Sequence, residues 1–323
     1  MEKTTKTLIA TAIASGLMAS TALASEIETR TFSFENEGST MAGTLYLPAN
    51  YEEGEKLPTV VVTGAWTSVQ QQMPAEYAEQ MAQRGFAAFT FDFRGWGQSG
   101  DLPQNIRFKE DPTAKTADIR AAIEFVATLP QVDTSQINGL GICASAGYMI
   151  DAVSGNANIR SVALVAPWLQ NEEIVNAVYG GEEGVAGLIQ MGRAADAAGG
   201  QIIPAAGPEG AEGVLMPIGG YYYEPSRGAI PEYDNQWNVS SWESWLTYFP
   251  AENPQRLDKP LAVVHSEVAA IPQGVRTFLE GYVGDATLQM LEDVTQFDFY
   301  DNPEDVTRAS DTVVDHFRAN FGS

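Results

Sequence analysis

Gln136-Ile137-Asn138-Gly139-Leu140-Gly141-Ile142-Cys143-Ala144-Ser145-Ala146-Gly147-Tyr148 is the stretch whose reading decides the fold. An apolar strand runs into small residues and then into a helix predicted over Tyr148 to Ser154. This is the layout of a strained strand-to-helix turn that pushes one side chain outward. Such a turn closes only if the residues two before and two after its apex are small. With Cys143 at the apex the flanks are Gly141 and Ser145, with Ala146 next. With Ser145 at the apex they are Cys143 and Gly147, and bulky Tyr148 falls where the helix entry is tightest. The lead-in Val132-Asp133-Thr134-Ser135-Gln136-Ile137 sets the strand start, and counted from it Cys143 reaches the apex. Cys143 is therefore preferred to Ser145 as the nucleophile. The plain alternative is a small apolar thiol packed beside a tight turn.

The flanking chain alternates strands and helices. Thr29 to Phe34 and Met41 to Leu47 alternate apolar and polar residues around the turn Asn36-Glu37-Gly38, and read as an antiparallel pair. Pro58 to Thr63, Phe86 to Phe91 and Pro260 to His265 read as buried strands, and Ile159 to Val165 and Ala286 to Leu291 as further strands. Helices are predicted over Pro74 to Gln83, Thr116 to Leu129, Glu182 to Ala197, Ile271 to Tyr282 and Pro303 to Phe321. Together these give an α/β fold with a mostly parallel, doubly wound sheet of about eight strands.

Leu169 to Leu257 breaks the pattern. The segment is far longer than a crossover needs and is dense in Tyr and Trp, so residues 169–257 are expected to form a lid or cap. Trp168, Trp242 and Trp245 are candidate substrate-binding residues. Packing of the lid onto the body is the alternative use of these rings.

The elbow, with the loop Asp92-Phe93-Arg94-Gly95-Trp96-Gly97-Gln98-Ser99, resembles the α/β-hydrolase superfamily. The branch it is similar to is that of dienelactone hydrolase, where Cys can replace the elbow Ser. The resemblance spans nearly the whole chain after residue 24. It implies an oxyanion hole made by the N–H of Ala144 and by that of Trp66 or Ala65, in the loop after the third strand. It also implies an acid and then a His, in that order, after the nucleophile. The family's acid position falls on Ala269, with Glu267 the only local carboxylate, and its His position falls on Gln296. His265 ends a strand and His316 lies in the closing helix, and neither restores the missing base.

A thiol tolerates that loss better than a hydroxyl, since a helix N-terminus favours the thiolate. Cys143 is accordingly expected to titrate below the free value of about 8.5. Two functions stay open. One is a cysteine-nucleophile hydrolase of small esters or lactones with a degenerate triad, in which Glu267 or Asp298 assists a water or orients Gln296. The other is a ligand-binding protein on a hydrolase fold without turnover.

A chain of 323 residues suits one large α/β domain. Residues 1–24 read as a signal peptide, with Lys3 and Lys6, an apolar stretch and the small-residue site Ala22-Leu23-Ala24. Residues 25–323 are then the hydrolase domain, periplasmic or secreted. A net charge of −24 argues against nucleic acid and anionic membranes as partners and leaves a small molecule. One Cys allows no internal disulfide, and with two His no metal-ligand spacing occurs. No cofactor is implied.

Overall fold

The computed structural model describes residues 27–321. The signal peptide expected over 1–24 lies outside them. The chain opens with strands β1 (Glu28–Asn36), β2 (Ser39–Leu47) and β3 (Leu57–Thr63), then helix α1 (Met73–Gln83) and β4 (Ala87–Phe91). Helix α2 (Pro112–Val126), β5 (Val132–Ile142), α3 (Ser145–Val153) and β6 (Ile159–Val165) follow. After an excursion the chain returns as β9 (Leu261–Ser266), α7 (Pro272–Gly281), β10 (Ala286–Leu291), α8 (Asp298–Asp301) and α9 (Pro303–Ala319). The excursion holds α4 (Glu172–Val178), α5 (Gly181–Ala197), β7 (Ile202–Pro204), β8 (Gln236–Asn238) and α6 (Trp242–Leu246).

Eight strands form one sheet in the order β1-β2-β4-β3-β5-β6-β9-β10. The β1–β2 and β2–β4 pairs are antiparallel, and the others are parallel. Parallel strands buried on both faces need apolar residues throughout, and Val60, Val61 and Val62 of β3 meet that need. Helices α1 and α9 pack together on one face, and α2 and α3 on the other. β4 lies on one side of β3 and β5 on the other, so the winding reverses there. The carboxyl ends of the strands at such a reversal open a crevice. β5 delivers the elbow into it.

The excursion between β6 and β9 coincides with the segment expected as a lid. Its β7 and β8 pair antiparallel, with Ile203 opposite Trp237. It is tied to the body by polar contacts at fixed points. Glu110 N–H donates to Ser241 Oγ at 2.8 Å, and Ser244 Oγ donates to the Glu110 carbonyl at 2.9 Å. Among the described residues no helix is long and apolar enough to cross a membrane.

Candidate active site

Cys143 stands at the end of β5 with φ of 56°, in the left-handed region that side chains other than Gly rarely adopt. Its own backbone holds it there. The Cys143 N–H donates to the Val165 carbonyl at 3.1 Å. Its carbonyl accepts from Ala146 N–H at 3.1 Å and Trp168 N–H at 2.9 Å. The turn tolerates no bulk at Gly141, where a Cβ would sit 2.8 Å from Ala146 Cα. Ser145 has a different post. Helix α3 begins at Ser145, three residues before the expected start at Tyr148. Ser145 is fully buried, its Oγ accepting from Thr63 Oγ1 at 2.9 Å and from Ile142 N–H at 3.1 Å.

Two backbone N–H groups, those of Ala144 and Trp66, are hydrogen-bonded to the Cys143 sulfur. One belongs to the elbow and the other to the loop after β3. Of Ala65 and Trp66, Trp66 is thus the one whose N–H faces the thiol. The third donor is the hydroxyl of Tyr300 in α8. Tyr148, Tyr179, Tyr222 and Tyr300 all lie near enough to the sulfur to feel its charge.

Burial decides the thiol's titration. Cys143 is 7% exposed, and loss of water pushes its pKa up from the free value. The Tyr300, Ala144 and Trp66 donors pull it back only in part, and the Glu110 carboxylate adds to the rise. The expectation of a thiol below about 8.5 is corrected by this. The helix terminus is present, but desolvation by surrounding rings outweighs it.

Gln296, at the family's His position, knits three loops together. Its Oε1 accepts from Ala270 N–H at 3.0 Å, and its Nε2 donates to the Ala166 carbonyl and the Tyr300 hydroxyl, each at 3.0 Å. It meets the thiol only through Tyr300. Glu267 is exposed and ion-paired with Arg276. Ala269, two residues further on, is a buried apolar residue. Asp298 caps its own turn, accepting from Thr295 N–H at 2.9 Å. His265 is fully buried at the end of β9, and burial pushes its pKa down to about 4. His316 lies in α9, where burial also lowers its pKa.

Five of the six Trp residues form one cluster around the loop after β3. Trp66 stacks on Trp245 with centroids 5.0 Å apart and meets Trp237 and Trp242 at 5.8 and 6.5 Å. Trp168 lies 6.4 Å from Trp245, and its Nε1–H donates to Gln170 at 2.9 Å. Trp242 and Trp245 are buried against these partners. Their packing joins the excursion to the loop that carries the Trp66 N–H.

The dienelactone hydrolase family model matches residues 41–177, from β2 through the elbow to α4. Uncharacterized protein PA2218 of Pseudomonas aeruginosa is 30% identical over 267 residues, which cover 76% of this chain and 69% of that protein. The chain belongs to the α/β-hydrolase superfamily. The crystal structure of hypothetical protein PA2218 matches this hydrolase fold with a TM-score of 0.77, over 91% of this chain and 94% of that one, at 25% identity. A thiohydrolase of Eupenicillium brefeldianum is 31% identical over 131 residues, 41% of this chain and only 40% of that protein.

Sequence reasoning missed Tyr300 and the donor it supplies. The signal was there. Gln296 lies in the turn before α8 and Tyr300 lies within it, four residues on, close enough in sequence for the two side chains to meet.

Proposed function

We propose that the chain is a cysteine-dependent hydrolase of small acyl compounds, esters or lactones, with thioesters added by the similarity to a thiohydrolase. The observation that carries this reading is the elbow itself: a thiol at φ of 56° with the N–H groups of Trp66 and Ala144 on its sulfur. Donors so placed can stabilise charge developing on a substrate carbonyl oxygen. Cys143 attacks the carbonyl carbon, the S–C bond forms, and the leaving group departs with the thiol's proton. Water then cleaves the acyl thioester. The rings of Trp168, Trp242 and Trp245 border the acyl side. Glu267 has no part in this scheme, because Arg276 holds it.

A ligand-binding protein without turnover is the second reading, and one observation favours it. Burial keeps the thiol protonated, and the Gln296 amide accepts no proton at neutral pH. Turnover should therefore be slow and rise with pH. The test is a panel of nitrophenyl esters, thioesters and lactones, run beside Cys143→Ala. Turnover that disappears with the thiol supports the hydrolase. Retention of a ligand with no turnover of any panel member supports the binding protein.

The export reading rests on Ala22-Leu23-Ala24. N-terminal sequencing of periplasmic or medium protein should begin at Ser25, and a retained Met1 would refute cleavage.

A further inference from the structure

We infer that Tyr300 is a further catalytic residue, a neutral phenol aimed by Gln296 whose O–H holds the charge on the Cys143 sulfur as the thiol gives up its proton. This rests on Cys143 being the nucleophile.

Hydrogen counting fixes the direction of every bond in the chain. The Ala270 N–H can only donate and the Ala166 carbonyl can only accept. Each is 3.0 Å from one end of the Gln296 amide. A flipped amide would set donor against donor and acceptor against acceptor. Gln296 therefore presents Oε1 to Ala270 and Nε2 to Ala166, and the second Nε2 hydrogen goes to Tyr300 Oη at 3.0 Å. The Tyr300 oxygen thus accepts from Gln296, which leaves its single hydrogen for the Cys143 sulfur.

Burial drives the Tyr300 pKa well above the ordinary value, so the group remains a phenol across the working range. A phenol of this kind is no base, but its hydrogen stays directed at the sulfur and holds negative charge there. As the S–C bond forms, the S–H proton moves to the departing oxygen or sulfur, and the acyl C–O or C–S bond breaks. Cys143 then carries the acyl group, and the leaving group is released protonated. Water next attacks the acyl carbon, the S–C bond breaks with the Tyr300 hydrogen again on the developing thiolate, a water proton returns to the sulfur, and the acid is released. The Gln296 bond persists throughout, since the phenol oxygen keeps its own hydrogen and a lone pair for Gln296.

The variants are Tyr300→Phe, which keeps the ring that packs 5.2 Å from Tyr221, and Gln296→Met. The chain's single cysteine gives one carbon-13 NMR signal whose pH titration reports the thiol without any reagent. Tyr300→Phe should raise the thiol midpoint by about one to two pH units, the worth of a hydrogen bond to a charged acceptor. It should lower kcat about 10- to 100-fold with KM held within about twofold. Gln296→Met should move both in the same direction by less. A folded Tyr300→Phe protein with unchanged midpoint and unchanged kcat overturns the inference. Tyr300→Phe effects with none in Gln296→Met overturn the aiming role of Gln296. Turnover surviving in Cys143→Ala would instead refute the nucleophile, and the NMR midpoint would still judge the Tyr300 bond on its own.

Discussion

Glu110 and Lys115 form an ion pair at 2.7 Å with both side chains almost entirely out of solvent. The same carboxylate accepts from the Tyr148 hydroxyl at 2.8 Å, one turn into the helix behind the thiol. The Lys115 ammonium sits over the rings of Phe93 and Trp96 at 4.7 and 4.9 Å. Breaking such a pair leaves a buried charge alone, at a cost of about 3–5 kcal/mol. Lys115→Met should lose about that much in urea unfolding, and the added change Glu110→Gln should restore a large part. A single variant within about 0.5 kcal/mol of wild type would show that water reaches the pair.

The elbow's need for space at Gly141 can be weighed separately. A methyl group there meets the Ala146 backbone, 2.8 Å from Cα and 3.1 Å from N, and lies 3.1 Å from Met149 Cβ. Gly141→Ala should cost about 1–3 kcal/mol of stability by overpacking. Thermal unfolding checks this, and an unchanged midpoint would mean that the turn can shift.

His265 sets an acid limit. Its folded pKa of about 4 lies below the ordinary value of 6.5, so its contribution to stability is full above pH 6.5 and is lost as pH falls through 4. The swing is about 3 kcal/mol at most. In His265→Gln the slope of stability between pH 6.5 and 4 should flatten, measured by urea titration at several pH values. An identical slope in the variant would assign the acid sensitivity to the carboxylates.

A base supplied at position 296 must contend with Tyr300, which stands between that side chain and the sulfur. Gln296→His alone should therefore leave ester turnover within about threefold of wild type, far short of the 10²–10⁴ that a positioned base can contribute. Paired with Tyr300→Ala, which opens the path, it should exceed Tyr300→Ala by about 100-fold, the lower end of that range. Steady-state rates at pH 8 decide it. A large gain from Gln296→His alone would mean that the side chain reaches the thiol directly.

The sheet was legible because its strands carry strong local signals. Ile159 to Val165 and Ala286 to Leu291 form strands with the bounds expected of them. Helix α2 starts four residues before the expected Thr116, because Asp111 caps it and accepts from the N–H groups of Thr113 and Ala114. Within the excursion only the helix expected over Glu182 to Ala197 was legible, and it is α5 (Gly181–Ala197). Three-residue strands such as β7 and β8 are too short to show a period, and α4 spans only seven residues. At the site, the apex was legible because the steric demand on Gly141 is local. The titration of the thiol was not. Its direction is set by burial, with Glu110 adding to it, and both come from parts of the chain that meet the thiol only in the folded protein.

Capture of the acyl intermediate tests the central claim most directly. A stoichiometric pulse of a nitrophenyl ester at pH 8, quenched in acid and read by intact mass and peptide mapping, should show one acyl group on the peptide holding Cys143. The same pulse on Cys143→Ala should show none. An acyl group on Ser145 or elsewhere, or full turnover with Cys143 absent, would contradict it.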